Sequence, residues 1–195
     1  MVHPEANITR AEVAMIFYRL LTDEARAQYE TTYCQFPDVN VNAWYGKAVA
    51  TLTNMGIITG ASDGKFHPGD NITRAEFATI AARFDSSEYS GEDMFGDISG
   101  HWAANYINRA AVRGWVHGSN GLFRPNADIT RAETMTLVNN VLGRSTITAD
   151  SLLEDMIEWP DNMNTDKWYY LAVQEATNGH NYNMTDGVEM WTALK

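Results

Sequence analysis

The sequence contains a single cysteine, Cys34, among 195 residues. One thiol excludes an internal disulfide and a cysteine-based zinc site. Basic residues are also scarce: 14 Lys and Arg stand against 25 Asp and Glu, a formal net charge of -11. Nucleic acid is therefore excluded as the main partner, because phosphate binding needs a basic face. An anionic membrane surface is disfavoured for the same reason. No apolar run reaches the roughly 18 residues of a membrane span, so membrane insertion is not expected. Residues 1–20 lack the basic-then-apolar layout of a secretory signal, so an exported protein is expected to carry this chain as a piece of something longer.

Catalytic motifs are missing as well. There is no nucleophile elbow, phosphate-binding glycine loop or metalloprotease helix. The five histidines, His3, His67, His101, His117 and His180, include no two at metal-ligand spacing in one helix, and read as surface or loop residues. Asp38–Asn42 begins like a calcium loop, but Ala43 stands where glycine is needed and no acid closes it at Val49. The expectation is a non-catalytic chain with no metal and no cofactor. Its 45% hydrophobic and 20% charged residues are enough for a core. At about 150 residues per domain, the length fits one domain or a few small units packed together.

What the sequence does have is repetition. The string Ile-Thr-Arg-Ala-Glu occurs at Ile8–Glu12, Ile72–Glu76 and Ile129–Glu133. Val2-His3-Pro4, Phe66-His67-Pro68 and Phe123-Arg124-Pro125 precede the three copies. Apolar residues at helical spacing follow them, such as Val13 and Phe17, Phe77 and Ile80, Leu137 and Val141. A second motif alternates with the first: Phe36-Pro37-Asp38 with Trp44, Phe95-Gly96-Asp97 with Trp102, and Trp159-Pro160-Asp161 with Trp168. Each tryptophan opens a further helical pattern, with Gly56, Gly114 and Gly179 suited to the left-handed turn after a helix. Hairpins are expected at Asp63-Gly64, Asn120-Gly121 and Asp186-Gly187, dipeptides that favour type I′ turns.

One unit is thus helix, short hairpin, proline loop, capped helix. Residues 36–84 and 95–143 are complete units, 2–21 is a second half and 159–191 a first half. Counted around a circle there are three of everything. The expected fold is mainly α, one module over 1–195, with a pseudo-threefold arrangement of three lobes about a central helical bundle and the termini brought together. The polar connections 22–35, 85–94 and 144–158 read as surface linkers.

Thr-Arg-Ala-Glu has the form of a capping box, in which the threonine hydroxyl and the glutamate satisfy each other's backbone N–H groups. The arginine is not explained that way. Arg10, Arg74 and Arg131 fall in the first helical turn, against the positive end of the dipole, an unfavourable place by roughly 0.3–1 kcal/mol. Free helix-end N–H groups beside a guanidinium would make a receptor for a carboxylate or phosphate. The alternative is an internal pair with Asp38, Asp97 or Asp161. Trp44, Trp102 and Trp168 are open to two readings too: core residues, or platforms for a sugar.

In order from Phe36 to Glu76, Phe-Pro-Asp, Trp-Tyr, Gly-Ile-Ile-Thr-Gly, Asp-Gly-x-Phe-x-Pro and Ile-Thr-Arg-Ala-Glu closely resemble the S-layer homology (SLH) repeat. The resemblance implies a threefold helical module that anchors S-layer proteins, exoenzymes or adhesins to the bacterial cell wall from outside. The implied ligand is a secondary cell-wall polymer bearing pyruvate ketals on N-acetylmannosamine, held in grooves between repeats with the motif arginine on the ketal carboxylate. It carries over Arg10, Arg74 and Arg131 as ligand residues, with Asp38, Asp97, Asp161, Trp44, Trp102 and Trp168 beside them. The site near Arg74 and Trp102 ranks first, since both flanking units are complete. The resemblance further implies a monomeric module of a larger surface protein. Two other readings stand beside this one: a structural or assembly module that binds peptidoglycan or other surface proteins, and the non-catalytic end of an enzyme.

Overall fold

A computed structural model describes residues 1–144 and 147–195. Its elements are helices α1 (Arg10–Leu20), α2 (Asp23–Tyr29), α3 (Gly46–Asn54), α4 (Arg74–Ala82), α5 (Ala104–Val112), α6 (Arg131–Val141) and α7 (Tyr170–Thr177), and strands β1 (His180–Thr185) and β2 (Val188–Leu194). The chain is mainly α, as expected. Among the described residues no helix is long and apolar enough to cross a membrane.

The three motif helices α1, α4 and α6 start on the threonine, and each carries the complete capping box. The tryptophan helices α3, α5 and α7 begin two residues beyond Trp44, Trp102 and Trp168. Gly56 and Gly114 take the left-handed conformation expected of them, at φ 73° and 70°. Gly179 does not, because α7 ends in extended backbone at Asn178. The connection 22–35 is not a plain linker. Thr22 caps α2, with Asp23 and Glu24 in its first turn and no buried residue.

The three hairpins also differ. Asn120-Gly121 and Asp186-Gly187 have positive φ at both positions, as type I′ requires. At Asp63-Gly64 only Gly64 is left-handed, and the loop closes with Gly64 N–H on Ala61 O and Ala61 N–H on Lys65 O. That is the longer hairpin loop with a glycine bulge. Only the last hairpin grows into regular strands, β1 pairing antiparallel with β2.

The chain divides into two units, each built from separate stretches. One is Asn7–Arg109 with Gly118–Ile129; the other is Met1–Ala6, Ala110–His117 and Thr130–Lys195. In the first, α1 packs on α3, and Phe17 lies against Phe77 and Phe84 with ring centroids 5.4 and 5.5 Å apart. Its three motif isoleucines close a cycle. Ile8 N–H donates to Ile129 O, Ile129 N–H to Ile72 O, and Ile72 N–H to Ile8 O, at 3.3, 3.0 and 3.1 Å. In the second unit, α6 packs on α7 around Val2, Ala132, Tyr169 and Val173. His180, expected at the surface or in a loop, opens β1 there and is 3% exposed.

Candidate functional site

The repeated string answers its own backbone first. At α1, Thr9 N–H donates to Glu12 Oε2 and Glu12 N–H to Thr9 Oγ1, at 2.8 and 3.3 Å. The next two donors, Arg10 N–H and Ala11 N–H, go to Asp70 O and Pro68 O. At α4 the same two positions donate to Ala127 O and Pro125 O, and at α6 to Ala6 O and Pro4 O. A helix start has about four N–H groups without intrahelical partners, and here each one is taken. The expected helix-end anion receptor is therefore absent at all three motif helices, and any anion has to be met by side chains.

The motif arginines and aspartates grip the proline loop from two sides. Arg10 Nε donates to Phe66 O, Arg74 Nε to Phe123 O and Arg131 Nε to Val2 O, at 2.7, 2.8 and 2.8 Å. Asp38 accepts the N–H groups of Phe66 and His67, and Asp97 those of Phe123 and Arg124, at 2.7–2.9 Å. Asp161 accepts those of Val2 and His3 in the same way. The clamp holds a strained turn, since His3, His67 and Arg124 stand at φ 54°, 57° and 60° immediately before proline. Such backbone is rare for a residue with a side chain, and two converging N–H groups on one carboxylate stabilise it. Burial alone would raise the Asp38 and Asp97 carboxyls. The backbone N–H groups outweigh it and hold both below the usual value of 3.8. Asp161 is lowered for the same reasons.

Arg10 makes further contacts beyond the proline loop's carbonyl. Its Nη1 pairs with Glu76 and its guanidinium lies 4.9 Å from the Phe66 ring centre. Arg74 is 8% exposed, with its guanidinium 4.7 Å from the Phe123 ring centre. At Arg10 and Arg74 the first-turn dipole penalty is offset because each side chain turns back onto a carbonyl and an aromatic face.

The tryptophans are not core. Trp44, Trp102 and Trp168 are 60%, 62% and 65% exposed. Each stands in the turn before its helix, and the buried face starts later, with Ala48, Val49 and Leu52 in α3. A tryptophan two residues ahead of a helix lies outside its periodicity, so the apolar spacing did not report its direction.

Trp102 walls a groove of about 600 Å³ together with Arg10, Gly60, Ser62, Glu76 and Arg83. The structure joins Trp102 to Arg10, not to Arg74 as the sequence ranking had it. The groove's motif arginine, Arg10, comes from the first copy of the repeated string. Arg83 is a residue that motif reading missed. It is the C-cap residue of α4, donates Nη1 to Ile57 O at 2.9 Å and lies over the Tyr106 ring at 5.4 Å. Two guanidinium groups against the single carboxylate of Glu76 give the groove a positive balance in a chain of net charge -11.

A sequence model described as the S-layer homology domain matches residues 35–78 and 95–135. The chain belongs to the S-layer homology family. It is similar to cell surface glycoprotein 1 of Acetivibrio thermocellus, 34% identical over 98% of this chain and 8% of that protein. It is also similar to the cellulosome-anchoring protein of the same organism, 34% identical over 94% of this chain and 41% of the relative. The surface-layer 125 kDa protein of Lysinibacillus sphaericus is 37% identical over 67% of the chain and 11% of its own length. The chain therefore spans less than half of each of these relatives. The clamp of Asp38 and Arg10 on Phe66-His67-Pro68 gives a physical reason for the aspartate, arginine and proline of an SLH repeat. The exposed indoles of Trp44, Trp102 and Trp168 each lie against only the adjacent ring, of Tyr45, His101 and Tyr169, among the described ring contacts.

Proposed function

We propose that this SLH chain anchors the protein that carries it to the bacterial cell wall, outside the cell, by binding a wall polysaccharide. Cell-surface anchoring follows from the family and from surface and anchoring relatives. The finer reading is an anionic secondary cell-wall polymer, a pyruvate ketal on N-acetylmannosamine being the form the family resemblance implies. The observation that carries it is the exposed Trp102 indole in one groove with the Arg10 and Arg83 guanidiniums. An aromatic face takes the apolar side of a sugar ring, and a guanidinium takes its carboxylate. No catalytic step is assigned to the chain.

The test is binding to purified wall before and after the secondary polymer is stripped. Loss of binding on stripping is expected. Unchanged binding would point to peptidoglycan, and no binding at all to an assembly role. Trp102→Ala is the sharper probe, because so exposed a side chain carries little of the fold. Its melting temperature should match wild type while wall affinity falls by about tenfold or more. Unaltered affinity would remove Trp102 from the site.

A further inference from the structure

The C-terminal hairpin closes on a buried cluster that wall binding does not use. Glu175 of α7, His180 of β1 and Glu189 of β2 are 2%, 3% and 1% exposed. His180 Nε2 lies 2.9 Å from Glu189 Oε1 and 3.4 Å from Glu175 Oε2. One candidate ligand atom from each residue lies within 4.8 Å of the other two.

The imidazole orientation is settled by its other nitrogen. His180 Nδ1 is 2.8 Å from Asn178 O, and a carbonyl can only accept, so Nδ1 carries the proton. The Nε2 lone pair of a neutral ring then faces two carboxylate oxygens, an arrangement that needs positive charge between them. A proton on Nε2 would satisfy one carboxylate and leave a net negative charge buried. Arg144 Nη1 approaches Glu175 Oε1 only to 3.9 Å, and that oxygen is buried without a hydrogen-bond partner. A divalent cation would neutralise both carboxylates at once and occupy the space they share.

We propose that Glu175, His180 and Glu189 form a structural site for one divalent transition-metal ion, zinc foremost, which ties α7 to both strands of the hairpin. Nitrogen and oxygen donors around tetrahedral zinc stand roughly 3.3 Å apart, given bonds of about 2.0–2.2 Å. The 3.4 Å separation already fits, and the 2.9 Å one has to open by a few tenths of an ångström. Imidazole disfavours calcium, which takes oxygen ligands. The outer shell is of the kind metal sites use. Asn178 O holds Nδ1, Trp191 Nε1 donates to Glu175 Oε2 at 3.1 Å, and the Trp191 ring stacks on His180 at 4.0 Å. Burial on this scale suits a structural ion rather than a catalytic one. The sequence hid the site because its ligands lie on three elements, whereas metal spacing is legible only within one.

The experiment uses the full chain, stripped with a chelator and titrated with zinc chloride by calorimetry and thermal melt. One zinc per chain is expected, with a melting temperature that climbs with zinc concentration and no response to calcium chloride. Glu189→Gln should weaken zinc binding by at least about tenfold. Asp63→Asn, which alters the exposed ion pair with His67, should leave it unchanged. No bound zinc in wild type, or equal affinity in Glu189→Gln, overturns the site. Should Glu189→Gln fail to fold, hydrogen exchange on wild type decides: zinc must slow exchange in α7, β1 and β2. Protection elsewhere or nowhere overturns the proposal.

Discussion

Arg74 shows how a residue in an unfavourable local position becomes a stabilising one. The helix dipole opposes a first-turn cation by roughly 0.3–1 kcal/mol. Against that stand a charge-assisted bond to Phe123 O, worth about 1.5–3 kcal/mol, and the contact with the Phe123 ring, about 0.5–2 kcal/mol. Arg74→Ala should therefore lower unfolding free energy by about 2 kcal/mol, more than the ~1 kcal/mol of Thr73→Ala. Urea denaturation of the two variants checks the order, and an unchanged Arg74→Ala would mean that the contact is idle. Asp38 and Asp97 make the clamps pH-dependent. Their folded values lie below the ordinary carboxylate value, so their contribution is complete above that value and is lost as pH falls through the lower folded one. Asp97→Asn should lose stability at neutral pH and converge on wild type in strong acid. Parallel melting curves from neutral to acid pH would sink the clamp.

At the scale of elements, the glycines of a single hairpin divide by cause. Gly64 is left-handed with open space around it, so Gly64→Ala meets only the backbone penalty of about 1–2 kcal/mol. Gly60 has no room: an added Cβ would stand 2.4 Å from Phe36 Cε1 and 2.7 Å from Lys65 O. Because Gly60 also lines the Trp102 groove, Gly60→Ala should weaken wall binding as well as stability. Gly64→Ala should leave binding intact. Titrating wall polymer against both variants tests this, and equal binding would show that the groove tolerates a shifted hairpin. The first repeat thus places its glycines so that one permits the turn and the other permits the approach.

At the scale of the molecule, the two ends of the chain meet in one clamp. Asp161 holds Val2 and His3 as Asp38 holds Phe66 and His67, although 159 residues separate Val2 from Asp161. The N-terminal stretch Met1–Ala6 and α6 share a unit with α7, and Asn139 of α6 donates to Ala172 O of α7 at 2.9 Å. Deleting 159–195 should accordingly strip hydrogen-exchange protection from 131–141 as well as from residues 2–6. Full protection of α6 in the truncated chain would show that it folds without α7 and the hairpin.

The sequence by itself determined what depends on neighbours along the chain. The threonine starts of α1, α4 and α6, two of the three expected type I′ turns and the mainly helical class were all legible there. Capping and turn chemistry act over three or four residues, and copies of a unit can be compared by eye. Tertiary structure decided the rest. Arg10, Arg74 and Arg131 find their carbonyls 56, 49 and 129 residues away, so the string could not show that its helix-end donors are consumed. Trp102 shares its groove with Arg10 because hairpin, α1 and α4 meet there. His180 is buried because two glutamates from other elements converge on it. These are distances between residues remote in sequence, set by packing.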